Sequence, residues 1–447
     1  MRSGAQLPKR SNAVYAAFRP VLWFSKLLAT MPVRLTSSRQ GAVRFVWSWL
    51  GAVYSALWVA AILVLKCCAA ATRPRPPRPL PFEDDNGTWV AGNMSRPRPP
   101  APSGNELFVG SVNDFMDTTC TVLIIILAVI GARGLPAIFN SLQMLDEEPD
   151  EDGCCRLDAG QLRRMRSRGR LVCIVSVVLC CVCTLTPALY SSTMALTQDF
   201  SWERAKEIAP FFFQDLAKLG NAAVEAQFLS LCVFLRMRFA ALNAMLFELR
   251  RQVNSAAATV KTRAILRQWA LARVDQAAPL KPITADVPDS LGRLCRWHRQ
   301  LCDVVDALAA CFQASLLVGI AFCFSNSVLG VYTFITKYKD RVPLAVKVPS
   351  AIWTACYSCR LVLFSTVPAD TVAQARKTRV LVERLNNRSL DADSKQEIEI
   401  FISHLSSRHV TFTVCGFFTL DLLFLRSIAV AIVTYVILLM QFKVPNT

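Results

Sequence analysis

Seven long apolar runs recur along this 447-residue chain, separated by polar segments. About 20 apolar residues in a helix cross the hydrocarbon core of a bilayer, and each run is about that long or longer. The predicted spans are Phe45–Leu65, Leu107–Ala132, Leu171–Tyr190, Ile208–Phe234, Val304–Ile335, Val348–Val367 and Val410–Phe442. The second span contains Asp114 and Asp117, and the fourth contains Asp215, Lys218 and Glu225, so the borders of the fourth are poorly defined. The pattern predicts an all-α polytopic membrane protein with seven transmembrane helices.

Helical periodicity also predicts elements outside the spans. Arg19 and Lys26 interrupt the apolar stretch Val14–Val33, which favours a short amphipathic helix at the inner membrane surface rather than a cleaved signal peptide. Span four is expected to continue beyond the membrane, and a polar break at Asp275–Pro288 precedes the next helix. The spacing that predicts these extensions is that of Leu242, Met245, Leu246, Leu249 and Val253, and then of Leu291, Leu294, Trp297 and Leu301.

The loops between these helices differ in composition. The loop Thr72–Pro102 is rich in Pro and Arg and should be extended, whereas Asp146–Asp158 is an acidic solvated loop. Asn86 and Asn93 each begin a glycosylation sequon in the first of these loops. We therefore divide the chain into an N-terminal arm, a sensing bundle that includes the Pro-rich loop and long helix extensions, and a pore-forming end. Their ranges are 1–44, 45–367 (loop 66–106, extensions 236–303) and 368–447.

Charge then predicts the orientation. The net charge is +18, although only 18% of residues are charged and 53% are hydrophobic. With the N-terminus inside, segments 1–44, 133–170, 236–300 and 367–409 hold 34 Lys and Arg residues, against 13 in the opposite loops. Cytoplasmic loops of membrane proteins are enriched in Lys and Arg, which explains the charge without a nucleic-acid partner. The bias predicts a cytoplasmic N-terminus and an extracellular C-terminus.

The sequence shows little that could support catalysis. It has no Gly-rich phosphate loop and no nucleophile or metalloprotease motif. Its three histidines, His298, His404 and His409, are interpreted as lacking a Cys or Glu partner at metal-ligand spacing. Most of the 17 cysteines are expected to be reduced thiols, several of them inside a span. We therefore expect no enzyme, no cofactor and no bound metal.

The last apolar run ends in polar side chains. Five apolar residues separate the pair Thr434 and Tyr435 from the pair Gln441 and Phe442. An unpaired amide in hydrocarbon costs on the order of 2–7 kcal/mol, so Gln441 needs a polar environment. Thr434, Leu438 and Gln441 lie on one face of a helix. If copies of this helix surround an axis, Thr434 and Gln441 could line a hydrated pore, with Leu438 and Phe442 forming an apolar constriction. Alternatively, Tyr435 and Gln441 bond to neighbouring helices and contact no ion.

This closing segment resembles that of insect gustatory receptors. The similarity covers Phe412–Asp421, Thr434, Tyr435, Gln441 and Phe442, and other segments match in order. Those segments are Arg238–Asn243, His298–Leu301, Phe312–Leu317, Arg360 and Ala373–Thr378. The resemblance implies a ligand-gated non-selective cation channel with seven spans, an inside N-terminus and four subunits. It also implies that the last helix lines the pore, with Gln441 and Phe442 at the extracellular gate.

The resemblance further implies a ligand pocket among spans two to six for a small-molecule tastant. Trp353 lies seven residues before Arg360, as in fructose-type members, but Gly330 and Ser350 replace larger hydrogen-bonding side chains, and Val436 replaces a Glu. A bitter-type ligand is therefore expected rather than a sugar. The resemblance implies a lipid-embedded homo- or heterotetramer with other gustatory receptors in the plasma membrane of a sensory neuron.

Five residues are candidates for ligand binding: Asp117, Asp215, Asn326, Ser350 and Trp353. A polar group within a span is taken as a candidate functional residue. The alternatives are that the polar residues are simply exposed near the end of a span, and that Trp353 belongs to the belt of aromatic residues at the membrane interface. Three other classes of protein stay open. A G-protein-coupled-like receptor would need an extracellular N-terminus, a transporter would show broken spans or repeats, and an odorant-type receptor would lack the closing motif.

Overall fold

The computed structural model describes the chain in nine stretches. These are residues 13–37, 43–72, 104–147, 167–182, 184–185, 202–269, 287–339, 344–386 and 390–441. The sequons at Asn86 and Asn93, most of the Pro-rich and acidic loops, most of the break at Asp275–Pro288, and Phe442 lie outside the described residues.

Helices dominate the described residues, with two small antiparallel hairpins between them. The helices are α1 Ala13–Leu27, α2 Trp49–Thr72, α3 Gly104–Gly131, α4 Leu135–Glu147, α5 residues 167–182, α6 Trp202–Trp269, α7 Val287–Lys339, α8 Leu344–Asn386, α9 Ala392–Ser407 and α10 Leu422–Gln441. The strands are β1 Val33–Ser37 paired with β2 Val43–Trp47, and β3 Thr413–Val414 paired with β4 Phe418–Thr419.

The predicted amphipathic helix corresponds to α1. Its apolar face, which includes Val14, Phe18 and Val21, is buried against α4 and α6, whereas Arg19 and Lys26 are on the exposed side. The helix thus packs on the protein along one face, and its position at a membrane surface stays a prediction.

The first predicted span begins later than its hydropathy indicated. Phe45 to Trp47 form strand β2, and α2 starts at Trp49. Asn140 on α4 holds this strand, since its Nδ2 donates to the Phe45 carbonyl at 3.1 Å and its Oδ1 accepts from the Phe45 amide at 3.0 Å. The strand is apolar because Phe45 is buried in the protein core, which a hydropathy profile cannot distinguish from a helix start.

The start of the last predicted span was also wrong. Residues from Val410 to Asp421 contain the β3–β4 hairpin, and α10 begins only at Leu422. Cys415 and Gly416 make the turn with positive φ angles of 49° and 74°. Asp421 Oδ1 then accepts the Phe424 amide at 2.8 Å, which satisfies one of the free N–H groups at the start of the helix.

Two helices are far longer than a bilayer is thick. α6 has 68 residues and α7 has 53, so at 1.5 Å per residue they measure about 100 Å and about 80 Å. As their spacing predicts, Leu242 and Leu249 on α6 and Leu291 and Leu294 on α7 lie buried on continuous helices. That these parts of the helices extend beyond the membrane stays a prediction. Asp303 and Asp306, both more than half exposed, mark where the extension of α7 ends and its apolar stretch begins.

Within the described residues, four helices are long and apolar enough to cross a membrane: α2, α6, α7 and α10. α3 and α4 would make a fifth span if the two are counted together across a bend of 51°. Gly131 and Gly134 at this bend approach Cys311 on α7 so closely that a Cβ on either would collide with it. The structure thus supports several membrane-capable helices, whereas the count of seven stays a prediction.

The membrane-capable helices differ in how much of their surface the protein covers. In the most apolar 18-residue stretch of α6, 61% of the residues are buried, whereas in those of α2 and α10 the buried shares are 11% and 6%. α6 is therefore the centre of the bundle. α2 and α10 lie at its periphery and leave apolar surface that lipid or another chain must cover.

Candidate functional site

Polar and aromatic side chains from four helices converge in the interior of the bundle. On each helix they are spaced three or four residues apart and thus share one face. We call this set the buried polar cluster: Asp117 and Thr121 on α3, Lys218, Asn221 and Glu225 on α6, Phe322 and Asn326 on α7, and Trp353, Tyr357 and Arg360 on α8. All of these residues are buried except Trp353, which is half-buried.

One ion pair joins α3 to α6 and contacts α8. Asp117 Oδ2 lies 2.7 Å from Lys218 Nζ, and both side chains are buried. Lys218 Nζ in turn lies 4.4 Å from the centre of the Trp353 ring, a cation–π distance. The indole Nε1 of Trp353 donates to Asn326 Oδ1 at 3.2 Å. Three of the five residues predicted from sequence to bind ligand therefore form one chain of contacts, in which Lys218 joins Asp117 to Trp353 and Trp353 bonds to Asn326.

A second buried ion pair joins α6 to α8. Arg360 Nε lies 2.8 Å and 3.1 Å from the two carboxylate oxygens of Glu225, and Arg360 Nη2 also donates to Glu225. The guanidinium stands 5.1 Å from the Tyr357 ring, which packs at 5.2 Å on Trp353 and at 5.4 Å on Phe322. Aromatic rings thus separate the two ion pairs and connect them into one cluster.

The buried polar cluster retains hydrogen-bonding capacity. Asn221 Nδ2 donates to Thr121 Oγ1 at 3.1 Å. Among the described residues, however, Asn221 Oδ1 and Asp117 Oδ1 are buried without a hydrogen-bond partner. A buried acceptor without a partner costs about 1–3 kcal/mol, which a ligand that supplies a donor would recover. Charged groups within a membrane bundle are expensive and mark candidate functional sites.

The other two predicted ligand residues are not placed by the structure. Asp215 and Ser350 lie on α6 and α8, but their side chains are outside what is described.

Gly330 on α7, which the resemblance also singled out, faces Thr354 on α8, and a Cβ at Gly330 would collide with Thr354 Oγ1. There is thus no room at Gly330 for the larger hydrogen-bonding side chain that the resemblance associates with sugar recognition.

The predicted pore residues lie on the exposed surface of α10. Thr434, Tyr435, Leu438 and Gln441 are all exposed in the single chain. Thr434 Oγ1 donates to the Val430 carbonyl at 3.0 Å, so this hydroxyl is satisfied within its own helix. The Tyr435 ring contacts Phe324 on α7 edge-on, with centroids 5.8 Å apart. The fifth residue, Phe442, lies outside the described residues.

The helix α7 connects the two sets of residues. Phe324 contacts Tyr435 of α10, and two residues further along Asn326 accepts the hydrogen bond from Trp353 of α8. One helix thus carries both a residue of the buried polar cluster and a residue that contacts α10.

The interpretation of the histidines was wrong. His298 and Cys302 lie four residues apart on α7, which is a metal-ligand spacing on a helix, and His404 on α9 packs against them. The three residues are buried and each offers a ligand atom. The sequence shows the spacing of the first two residues, but the third ligand comes from a separate helix about 100 residues later and only the packing brings it close.

Comparisons with known proteins agree with one another. The family model described as 7tm Chemosensory receptor matches residues 105–446. A Drosophila melanogaster protein named "Putative gustatory receptor 28b" is 23% identical over 254 residues, which are 54% of this chain and 53% of that protein. The chain thus aligns over about half the length of this curated relative.

Solved structures show the same fold. The insect olfactory receptor OR5 from Machilis hrabei superposes with a TM-score of 0.60 at 12% identity, over 95% of this chain and 97% of that one. The same receptor in complex with eugenol superposes with a TM-score of 0.57 at 13% identity, over 96% and 98% of the two chains.

Proposed function

Because this chain belongs to the 7tm chemosensory receptor family, we propose that it is a gustatory receptor, a ligand-gated non-selective cation channel that opens when a small-molecule tastant binds. As a member of this family the chain is a multi-pass membrane receptor and not an enzyme. The proposed location is the plasma membrane of a chemosensory neuron, with the N-terminus inside and the sequons at Asn86 and Asn93 outside.

The observation that carries this proposal is the buried polar cluster. It places two ion pairs, two amides and three aromatic rings in the bundle interior, which is the composition of a site for a small organic molecule. Structural ion pairs alone would not require acceptors without partners such as Asp117 Oδ1 and Asn221 Oδ1. We place the ligand among α3, α6, α7 and α8 beside these two oxygens.

Gating would follow from differential binding. A ligand that binds the open arrangement of the cluster more tightly than the closed one shifts the population towards the open state. The path to the pore is short, because Asn326 and Phe324 are two residues apart on α7 and Phe324 contacts Tyr435 on α10. The last helix would then tilt or rotate and move Gln441 and Phe442 away from the pore axis.

The exposed surface of α10 supports an assembly of several subunits. Its side chains are apolar almost throughout and the chain itself buries little of them, yet the same surface carries Thr434 and Gln441. Lipid suits the apolar residues but not a carboxamide. A homo- or heterotetramer with other gustatory receptors, in which four copies of this helix surround a hydrated axis, gives both kinds of residue a suitable environment.

The ligand is more consistent with a bitter compound than with a sugar. A sugar site needs many hydrogen-bonding groups on short side chains, whereas Gly330 offers none and Thr354 closes the space beside it. Trp353 and Tyr357 instead present aromatic faces next to Lys218 and Asp117. Such surroundings favour a flat apolar molecule with one or two hydrogen-bond donors.

The decisive experiment is whole-cell recording from cells that express the full chain, against a panel of sugars and plant alkaloids. We expect an inward cation current for at least one alkaloid and none for the sugars, with cells that lack the receptor as the control. A ligand response that is carried only by a G-protein pathway, with no current of its own, would overturn the channel assignment. Glycosylation of Asn86 together with a cytoplasmic N-terminal tag would test the orientation independently.

A further inference from the structure

Two histidines and a cysteine meet where α9 packs on the extension of α7. Cys302 Sγ lies 3.6 Å from His298 Nδ1, one turn earlier on the same helix. The rings of His298 and His404 stand 5.5 Å apart at an angle of 81°. One ligand atom from each of the three residues lies within 4.8 Å of the other two.

These separations approach those of a tetrahedral zinc site. With Zn–S near 2.3 Å and Zn–N near 2.0 Å, the nitrogen and sulfur ligands of one ion lie about 3.5 Å apart. The distance between Cys302 Sγ and His298 Nδ1 already has this value. His404 would need to approach the other two ligands by about 1 Å.

The surroundings leave the histidines available as ligands. The rings of Phe239 and Phe401 flank His298 at 5.7 Å and 5.8 Å, so an apolar shell surrounds the site. Among the described residues, His404 Nε2 is buried without a hydrogen-bond partner. A neutral imidazole with a free lone pair is the form that binds metal.

Both positively and negatively charged side chains lie near the site. Arg299, Arg408 and Asp303 are close enough to His404 to act on it electrostatically. Arg408 is itself paired with Asp303 and with Asp306, at 3.2 Å from the latter, so its charge is largely compensated. A thiol loses its proton when it coordinates a metal ion.

We propose that His298, Cys302 and His404 bind a zinc ion that ties α9 to the extension of α7. On binding, the Cys302 S–H bond breaks, the thiolate forms a bond to zinc and the proton passes to solvent. The three protein ligands leave a fourth tetrahedral position for water or another group.

This zinc site would act on the segment that leads to the last helix. α9 ends at Ser407, and the β3–β4 hairpin and α10 follow it directly. A metal bond between α7 and α9 would hold the start of this segment against the base of the bundle, and its loss would loosen that anchor. The proposal goes beyond the ligand-gated function and does not depend on it.

The test uses the full chain purified in detergent after expression in zinc-supplemented medium. We expect about one zinc ion per chain by elemental mass spectrometry, and a loss of most of it in Cys302→Ala and in His404→Ala. Two matched controls should retain the metal: Cys295→Ala, which removes a buried cysteine two turns earlier on α7, and His409→Ala, which removes an exposed histidine near the end of α9. Equal zinc content in all five proteins, or loss of the metal in His409→Ala, would overturn the proposal.

A second measurement covers the case in which the two site variants do not fold. The wild-type protein, stripped with a chelator and reloaded with Co²⁺, should show thiolate-to-cobalt charge-transfer absorption, and Cys295→Ala should show the same band. Reloading with zinc should remove the band and raise the melting temperature of the stripped protein, because the ion binds the folded state. Monodisperse wild-type protein without this band would rule out the site. None of these readings requires channel activity, so failure here is distinct from failure of the proposed function.

Discussion

The ring of Phe324 on α7 meets the ring of Tyr435 on α10 edge-on, with 5.8 Å between the ring centroids. Tyr435 is nevertheless 52% exposed, so this contact is a large part of what fixes the ring in the single chain. Because Asn326 lies two residues further along α7 and accepts a hydrogen bond from Trp353, the aromatic pair connects the buried polar cluster to the predicted pore helix.

If this pair transmits ligand binding, the substitutions Phe324→Ala and Tyr435→Ala should not have additive effects. An edge-on aromatic pair contributes about 0.5–1.5 kcal/mol, so the double variant should depart from additivity by about two- to tenfold in the half-maximal ligand concentration. Concentration–response currents of the four proteins give this number. Val433→Ala, an exposed change on α10, serves as the control partner and should combine additively with Phe324→Ala. Additive behaviour of the Phe324 and Tyr435 pair would show that gating takes another route.

Gln441→Ala should alter ion selectivity or gating without reducing the amount of receptor at the cell surface. The reason is that the carboxamide is the polar group expected to face the pore axis near its outer end. Reversal potentials under mixed-cation conditions measure the effect. Leu423→Ala, at an exposed position at the other end of α10, should leave the reversal potential unchanged. Normal currents from Gln441→Ala and from Phe442→Ala would remove the pore role from this segment.

Trp353→Ala should weaken the response to ligand by about tenfold or more. The change removes the ring that faces Lys218 and packs on Tyr357, contacts that contribute about 0.5–2 kcal/mol each at a desolvated site. Trp353→Phe retains a ring but lacks the donor to Asn326, so its effect should be smaller. The control is Trp49→Ala at the exposed start of α2. Matching half-maximal concentrations for Trp353→Ala and Trp49→Ala would exclude a role for Trp353 in ligand binding.

Two ion pairs of α8, one buried and one exposed, should differ strongly in their contribution to stability. Arg360→Gln leaves Glu225 buried without its counter-ion and should lower the free energy of unfolding by about 3–5 kcal/mol. Arg379→Gln removes an exposed pair with Glu383, where both side chains are 47% exposed, and should cost less than about 1 kcal/mol. Melting temperatures of the purified variants and their surface amounts measure the difference. If the two variants have the same melting temperature, the Glu225 carboxylate is solvated and the cluster is not buried as described.

The long helices could be predicted from the sequence because their signal is local. The spacing of Leu242 and Leu249 on α6, and of Leu291 and Leu294 on α7, repeats with the helical period and marks a buried face wherever the chain goes next. The two wrong span borders have the same origin. The runs from Phe45 and from Val410 are as apolar as a helix, but their apolar residues are buried in hairpins, and composition does not distinguish the two cases.

The candidate site could be predicted only in part. Asp117, Asn326 and Trp353 stand out in the sequence because a polar group or an indole within an apolar run often serves a specific role. In the sequence, Lys218 and Glu225 are only charged residues that make the border of a span hard to define. The role of each depends on an ion-pair partner on another helix. The spacing of His298 and Cys302 is visible in the sequence, but nothing local indicates that His404 completes the set.

By itself the sequence determined that this chain enters a membrane as a series of helices and that its last helix ends in polar residues. These properties depend on neighbours within one or two helical turns. The tertiary structure alone decided which charges neutralise each other, which aromatic ring reaches α10 and where a metal could bind. Such contacts join residues as distant in the chain as Glu225 and Arg360, which are 135 positions apart. Only the packing of α3, α6, α7, α8 and α9 against one another brings such side chains within a few ångströms.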